Sequence, residues 1–268
     1  MSRPILCEAK GLCVAYGKGR TRVQAVRGVD LAIHEGESVG LVGESGSGKS
    51  SLGRALLRLE PVEAGRVLFE GTDIAGLCGA ALRRFRQRAQ IIFQDPFGSL
   101  NPRLTIGAAI EEVLRVHRVV SPPMRQDRLE ALLKQVGLPE DSARRYPHEF
   151  SGGQRQRAAI ARALALNPVF LVADEALSAL DVSVQAQIVE LLMELKRSTG
   201  LTYLFIAHDL AVVRDLCDRV IVLREGIVVE EGSTETLYSR PRHPYTLALL
   251  EAVPDVERSL RKRHKRDL

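Results

Sequence analysis

The sequence lacks any hydrophobic run long enough to span a lipid bilayer. A spanning helix needs about 18 to 20 consecutive apolar residues, and no segment of the 268-residue chain reaches that length. The first residues, MSRPILCEAKG, also lack the long apolar stretch of a secretory signal peptide. These absences predict a soluble chain that stays in the cytoplasm.

Cysteine content and net charge are both low. The four cysteines, at positions 7, 13, 78 and 217, form no CxxC pair, which argues against a disulfide framework and against a zinc site. The formal charge is only +5, and part of it comes from the segment RSLRKRHKR at residues 258–266. A basic segment can bind nucleic acid or an anionic membrane, but a solvated end of the chain is the simpler interpretation.

Short apolar segments that are typical of buried strands recur along the chain. They lie at residues 38–42, 90–93, 169–173, 202–207 and 219–223. Because helical patterns separate several of them, we predict an α/β fold with a mostly parallel sheet and helices on its faces. Earlier segments, at residues 26–37 and 65–71, indicate antiparallel β-structure near the N-terminus.

The middle of the chain has a different pattern. No strand pattern occurs from residue 101 to about 146, whereas residues 105–117 and 125–138 show helical spacing. We therefore predict a helical insertion at about residues 97–165 within a nucleotide-binding domain at residues 1–240. A short C-terminal extension, residues 241–268, follows it.

The segment GESGSGKS, residues 43–50, fits the phosphate-binding pattern G-x-x-x-x-G-K-[ST]. It follows an apolar strand and precedes a helical pattern, which is the context that a P-loop requires. Its glycines let backbone N–H groups face the phosphates, Lys49 can reach the β- and γ-phosphates, and the Ser50 hydroxyl can bind Mg²⁺. The sequence therefore predicts a P-loop NTPase.

Polar residues follow three of the other predicted strands. Asp174 and Glu175 follow one strand, at the end where parallel sheets bind ligands; Asp174 would hold Mg²⁺, and Glu175 would polarise the attacking water. Gln94 could contact Mg²⁺ or that water, and His208 could form a hydrogen bond with the γ-phosphate. Each residue alone is more often structural, but the P-loop in the same chain favours the catalytic interpretation.

Together these motifs resemble the ATP-binding subunits of ABC transporters over nearly the whole chain. The matching motifs are Walker A at residues 43–50, the Q-loop residue Gln94, the signature SGGQ at 151–154, Walker B ending at Asp174 and followed by Glu175, the D-loop SALD at 178–181, and the switch histidine His208. The resemblance implies that ATP and Mg²⁺ are the cofactors. It assigns catalysis to Glu175, His208 and Gln94, and Mg²⁺ binding to Ser50, Gln94 and Asp174.

The resemblance also implies which residues contact ATP. The set within one chain is Tyr16, Gly43, Ser45, Gly46, Gly48, Lys49, Ser50 and Ser51. Tyr16 stands where the family stacks an aromatic ring on adenine, although a tyrosine in a strand needs no ligand to explain it.

In the family, two ATPase subunits pack head to tail, and the signature of one closes over the γ-phosphate bound by the other. The resemblance therefore implies that a partner's nucleotide is contacted by Ser151, Gly152, Gly153, Gln154 and Asp181, through N–H groups and the positive end of a helix. The expected partner is a second, different ABC ATPase, with a homodimer as the alternative.

Further segments, at residues 93–107, 178–192 and 242–254, resemble the peptide and nickel importers of the oligopeptide and dipeptide permease group, and most of all their shorter, second ATPase. This implies that the chain energises uptake of short peptides through two membrane permeases and an external binding protein, at the cytoplasmic face of the inner membrane, without nucleic acid. Import of nickel or a nickel chelate is the alternative within the group. A non-transport ABC ATPase acting on nucleic acid or ribosomes is the alternative of another class. One departure is Ala176, where the family usually has proline after the catalytic glutamate.

Overall fold

A computed structural model describes residues 3–178, 180–208 and 210–252 of the chain. These residues form two compact units. The first unit takes the chain up to Gly76 and again from Thr202 onward, and the second unit spans Leu77–Leu201. The basic segment at residues 258–266, and with it the end of the predicted C-terminal extension, lies outside the described residues.

The first unit begins with antiparallel β-structure. Its elements in chain order are β1 (Ile5–Tyr16), β2 (Val23–His34), β3 (Ser38–Val42), α1 (Lys49–Leu56), β4 (Ala64–Phe69) and β5 (Thr72–Asp73). The strand order is β2-β1-β4-β5, and each neighbouring pair is antiparallel. Alternate residues of β2, at Val29, Leu31 and Ile33, are buried, as expected for a strand with one face on the core. The predicted antiparallel N-terminal part is confirmed.

The second unit carries most of the helices. Its elements are α2 (Gly79–Arg88), β6 (Ala89–Ile92), α3 (Pro96–Ser99), α4 (Ile106–His117), α5 (Arg125–Gln135), α6 (Gly152–Leu164), β7 (Phe170–Asp174) and α7 (Val182–Thr199). Strands β6 and β7 pair in parallel. Residues 101–146 are all described and contain helices and turns without a strand, as predicted. The predicted helical insertion, residues 97–165, lies within this unit.

The chain then returns to the first unit. The remaining elements are β8 (Thr202–Ala207), α8 (Leu210–Leu216), β9 (Arg219–Arg224), β10 (Ile227–Ser233), α9 (Thr234–Ser239) and α10 (Pro244–Glu251). Strand β3 pairs in parallel with both β8 and β9, and β10 is antiparallel to β9. Helix α8 packs directly on β3 at Gly40. A Cβ atom added at Gly40 would lie only 2.4 Å from Val213 Cγ1, so this close approach depends on glycine.

The strand predictions agree closely with the structure. The segments at 38–42 and 202–207 form β3 and β8 as predicted, and β9 extends one residue beyond its predicted end. Strand β6 lies one residue earlier than predicted at both ends, and β7 lies one residue later at both ends. All five residues of β3 are buried, which explains why its sequence SVGLV is apolar without alternation. In the part of the chain that is described, none of the helices has the length and apolar character that a bilayer span requires.

Candidate nucleotide-binding site

A loop of the first unit, residues 43–48, joins β3 to α1 and encloses the ammonium group of Lys49. The Lys49 side chain is buried, with 3% of the residue exposed. Its Nζ atom donates hydrogen bonds to the carbonyl oxygens of Gly43 and Glu44, at 2.8 and 2.7 Å. These oxygens offset part of the cost of burying a charge. The positive charge is therefore held inside the loop, as the P-loop prediction requires.

Three glycines give the loop its shape. Gly43, Gly46 and Gly48 have φ angles of +152°, +80° and +101°, a region that residues with a Cβ atom rarely adopt. At Gly43 an added Cβ would lie 2.1 Å from the carbonyl oxygen of Leu223, and at Gly48 it would lie 2.1 Å from that of Ala25. Glycine is thus required at 43 and 48 for both conformation and space.

The turn between β9 and β10 supports the loop from behind. The N–H of Gly226 donates to the Ser47 carbonyl oxygen at 2.9 Å, and the Gly226 carbonyl oxygen accepts from Arg27 N–H at 2.8 Å. Ser47 is 5% exposed, and its Oγ lies 3.5 Å from Lys49 Nζ. Sequence reasoning missed Ser47, because it occupies a position where the P-loop pattern accepts any residue.

Other predicted residues of the first unit lie on elements next to the loop. The Tyr16 hydroxyl donates to Ser51 Oγ at 3.1 Å, which joins the end of β1 to the first turn of α1. His208 is exposed and follows β8 directly. Since β8 pairs in parallel with β3, with Ala207 opposite Val42, His208 and the start of the P-loop occupy the same edge of the sheet.

The second unit brings Gln94, Asp174 and Glu175 together. Strands β6 and β7 run in parallel with Ile92 opposite Ala173, so the residues that follow each strand are neighbours. Asp174 is 1% exposed at the end of β7. The side-chain amide of Gln94 donates from Nε2 to Glu175 Oε2 at 2.8 Å. This arrangement places two carboxylates and an amide at one edge, which suits the binding of a cation and the orientation of a water molecule.

The turn that carries Glu175 is closed by hydrogen bonds. Glu175 has a φ of +47°, and its carbonyl oxygen accepts from both the N–H and the hydroxyl of Ser178, at 3.1 and 2.9 Å. Gln185 Nε2 also donates to the carbonyl oxygen of Leu177 at 2.9 Å. Ala176 is buried inside this turn. These hydrogen bonds therefore fix the geometry of the turn, although position 176 lacks the proline that the resembled family usually has.

The signature residues form the start of α6. Ser151 is its N-cap: Ser151 Oγ accepts from Gln154 N–H at 3.3 Å, and Gln154 Oε1 accepts from Ser151 N–H at 3.0 Å. This reciprocal pair is a capping box, which stabilises a helix N-terminus. The two side chains predicted to contact a partner's nucleotide thus also stabilise the helix that presents them.

Gly153 is required by packing within its own unit. A Cβ atom at Gly153 would lie 2.5 Å from Val184 Cγ1 on α7, whereas one at Gly152 would lie at an ordinary 3.4 Å from Leu180 Cδ2. Close approach of α6 to α7 therefore explains the second glycine of the signature without any ligand.

Asp181, the last residue of the predicted D-loop, caps α7. Its Oδ1 accepts from the Ser183 hydroxyl at 2.7 Å and from Val184 N–H at 3.0 Å. These hydrogen bonds, that of Ser183 first, hold the pKa of Asp181 below its ordinary value. The carboxylate is therefore ionised near neutral pH.

The chain matches two families of known proteins. It matches the ABC transporter family over residues 26–178. It also matches the C-terminal region of the oligopeptide/dipeptide transporter family over residues 229–267, a range that begins in β10 and includes α9 and α10.

Curated relatives and solved structures agree with these matches. The chain is 52% identical over 254 residues to a putative peptide import ATP-binding protein of Brucella ovis, covering 95% of this chain and 80% of that protein. It is 50% identical over 256 residues to the oligopeptide transport ATP-binding protein OppF of Streptococcus mutans, covering 95% and 83%. Among solved structures, it is similar to a dimeric ATP-binding cassette in a post-hydrolysis state with ADP and phosphate bound, with a TM-score of 0.77, 33% identity, and coverage of 85% and 99%.

It is also similar to cbiO1 of Clostridium perfringens, part of an ABC transporter complex, with a TM-score of 0.78, 25% identity, and coverage of 98% and 99%. The family matches, the identities near 50% and the fold agree with the P-loop described above. The chain therefore belongs to the ABC transporter family, as an ATPase that carries the C-terminal region of the oligopeptide/dipeptide transporters.

Proposed function

We propose that this ATPase energises the uptake of short peptides through partner permeases in the membrane. The observation that carries the ATP-binding part of this proposal is the buried Lys49. It is enclosed by a loop whose conformation requires glycine at positions 43 and 48. Relatives near 50% identity are named for peptide import and for oligopeptide transport, and this chain carries the C-terminal region of the oligopeptide/dipeptide transporters.

Within one chain, the proposed nucleotide site has residues in distinct roles. Lys49 and the backbone N–H groups of the P-loop bind the phosphates, and the exposed Tyr16 ring stacks on adenine. Glu175 orients and deprotonates the water that attacks the γ-phosphate, and Gln94 holds the Glu175 carboxylate in place. His208 donates a hydrogen bond to the γ-phosphate. Ser45, Gly46 and Ser51 line the same site.

Mg²⁺ fits the residues proposed to hold it. Asp174 supplies a buried carboxylate and Ser50 a hydroxyl in the first turn of α1. Gln94 uses its Nε2 atom on Glu175, which leaves its carbonyl oxygen for the metal. Mg²⁺ prefers oxygen ligands and keeps several waters and substrate phosphates, so few protein ligands suffice. When bound, the ion would neutralise charge on the β- and γ-phosphates.

We further propose that the signature residues act on the nucleotide of a second ATPase subunit. Ser151, Gly152, Gly153 and Gln154 begin α6, whose N–H groups and dipole favour an anion. Asp181, the last residue of the D-loop, contacts the same nucleotide of the partner. A dimeric cassette is among the similar solved structures. In the intact transporter, two such ATPases at the cytoplasmic face would serve two permeases and an external binding protein.

Reconstitution tests this function directly. The chain is assembled in vesicles with its proposed permeases and partner ATPase, and ATP-dependent uptake is measured for labelled di- and oligopeptides, with nickel ions as the comparison. We expect uptake of peptides that needs ATP and is abolished with the Lys49→Ala variant. Uptake of nickel alone would refute the peptide assignment, and uptake unaffected by Lys49→Ala would refute the role of this chain.

A further inference from the structure

The C-terminal helix α10 is hydrogen-bonded directly to the P-loop. The backbone N–H of Glu44, the second residue of the loop, donates to the Tyr245 hydroxyl oxygen at 2.9 Å. Tyr245 is 7% exposed and belongs to the second residue position of α10. The two residues are 201 positions apart, and both belong to the first unit. The P-loop therefore has a support that lies within the oligopeptide/dipeptide transporter C-terminal region.

Several contacts hold Tyr245 in this position. The guanidinium of Arg224, at the end of β9, lies 4.9 Å from the centre of the Tyr245 ring, a distance at which a cation and a ring attract each other. The Glu230 carboxylate on β10 accepts from the N–H groups of Arg242 and His243, at 2.8 and 3.0 Å, and His243 Nδ1 accepts from Tyr245 N–H at 3.1 Å. The start of α10 is thus fixed to the same hairpin that supports the loop.

The peptide groups around Glu44 connect Tyr245 to Lys49, the lysine proposed to bind the phosphates. The Glu44 N–H is bound by Tyr245, and the carbonyl oxygens of Gly43 and Glu44 both accept from Lys49 Nζ. The Gly43 carbonyl oxygen and the Glu44 N–H belong to the same peptide unit. The Tyr245 hydroxyl therefore restricts rotation of a peptide unit whose own oxygen accepts from the Lys49 ammonium group. The removal of this hydroxyl would leave a partly buried N–H without its acceptor, which is more costly than a simple loss of contact.

We infer that Tyr245 is a positioning residue of the nucleotide site: its hydroxyl keeps the P-loop in the conformation that binds the β-phosphate. The inference rests on the proposed function, since it concerns the same ATP site, and it makes the C-terminal region a working part of that site. Because the loop conformation matters equally for the ground state and the transition state, loss of the hydroxyl reduces nucleotide affinity and raises KM for ATP, with kcat nearly unchanged.

The Tyr245→Phe variant tests this inference, because it removes the hydroxyl and keeps the ring. Tyr238→Phe is the matched control: Tyr238 lies on α9, is similarly buried at 9% exposed, and donates its hydroxyl to the carbonyl oxygen of Leu210. Binding of ADP to the full-length chain is measured by calorimetry, together with thermal unfolding and with KM and kcat for ATP in the assembled transporter. Both variants lose one buried hydroxyl contact, but only Tyr245 contacts the P-loop.

We expect Tyr245→Phe to bind ADP about five- to tenfold more weakly than wild type, with KM for ATP raised by the same factor and kcat within about twofold. Tyr238→Phe should retain wild-type affinity. Unchanged affinity of Tyr245→Phe, or equal weakening by both variants, would overturn the inference while leaving the proposed function intact. A wild-type chain that binds no ADP would overturn the proposed function and this inference with it.

Discussion

Ser151 has two roles that a pair of substitutions can separate. It caps α6 through the hydrogen bond from Gln154 N–H, and we propose that it also binds the γ-phosphate of a partner subunit's ATP. Alanine at this position removes both functions. Aspartate keeps the cap, since Asp and Ser are comparably good N-cap residues, but places a negative charge where the phosphate would bind. Stability and activity should therefore respond in opposite order to the two changes.

The magnitudes follow from the capping geometry and from the charge. Loss of an N-cap costs about 1 kcal/mol, so Ser151→Ala should lower the melting temperature by about 2 to 4 °C. Loss of one hydrogen bond to a charged phosphate costs about 1.5 to 3 kcal/mol, which predicts at least about a tenfold loss of turnover. In Ser151→Asp, repulsion between two unit charges about 4 Å apart adds about 4 kcal/mol near a protein surface. We expect at least about a hundredfold lower turnover for aspartate at a nearly wild-type melting temperature.

The assay combines ATP turnover by the assembled transporter with thermal unfolding and ADP binding by the isolated chain. ADP affinity should be the same for wild type and both variants, because the phosphate that Ser151 contacts is bound by the partner. Three results would each refute the reasoning. Turnover of Ser151→Asp near that of wild type would remove Ser151 from the phosphate; turnover that tracks the melting temperature would leave it only a cap; weaker ADP binding by the isolated chain would place its action within its own subunit.

Two further predictions concern the first unit. Gly48→Ala should destabilise the chain by more than about 2 kcal/mol and abolish nucleotide binding, because Gly48 has a φ of +101° and the new Cβ would lie 2.1 Å from a carbonyl oxygen. The control is Gly232→Ala, since a Cβ at Gly232 meets nothing within 4 Å. If urea unfolding showed that both variants lose the same unfolding free energy, the steric argument would be contradicted. Burial would raise the pKa of Glu37, but hydrogen bonds from Arg219 and His34 and the Arg219 charge lower it. A lowered pKa means that ionised Glu37 stabilises the folded state. This stabilisation is complete above the ordinary glutamate pKa of about 4.3, and it is lost as the pH falls through the lower pKa of the folded state. The difference in unfolding free energy between wild type and Glu37→Gln should therefore shrink below about pH 4.3, and a constant difference would contradict the assignment.

Local sequence patterns were sufficient to locate β3, β6, β7, β8 and β9 to within one residue at each end, and to locate the P-loop segment. Strand β3 is a continuous apolar run that is fully buried, and the glycine-rich segment after it leads into α1 as the P-loop pattern predicts. These features depend on neighbouring residues, so periodicity and motif spacing reveal them. The helical character of residues 101–146 was predictable for the same reason.

Contacts between distant parts of the chain were not predictable from such patterns. Gln94 and Glu175 are 81 positions apart, and Glu44 and Tyr245 are 201 apart. The segment that contains Tyr245 shows a family resemblance, but no local signal in it indicates that the hydroxyl reaches the P-loop. The residue type gives only a general indication, since a buried tyrosine hydroxyl usually forms a hydrogen bond with some partner.

The signature motif shows a different limit of sequence reasoning. The family resemblance assigns its glycines to a partner's nucleotide, and the structure adds a second requirement at Gly153, where a Cβ atom would lie 2.5 Å from Val184 Cγ1 of α7. Packing and ligand binding demand the same residue type here. Sequence alone could not separate the two explanations, and a variant at Gly153 would not separate them either.

The central claim is that this chain hydrolyses ATP with Glu175 as the residue that activates water. The most direct measurement is ATP binding and turnover by the assembled transporter carrying Glu175→Gln, a change that keeps an acceptor for Gln94 but removes the base. A general base contributes about a hundred- to ten-thousandfold, so we predict turnover reduced by at least about a hundredfold with ATP affinity within about threefold of wild type. Near-normal turnover, or loss of ATP binding together with turnover, would contradict the account.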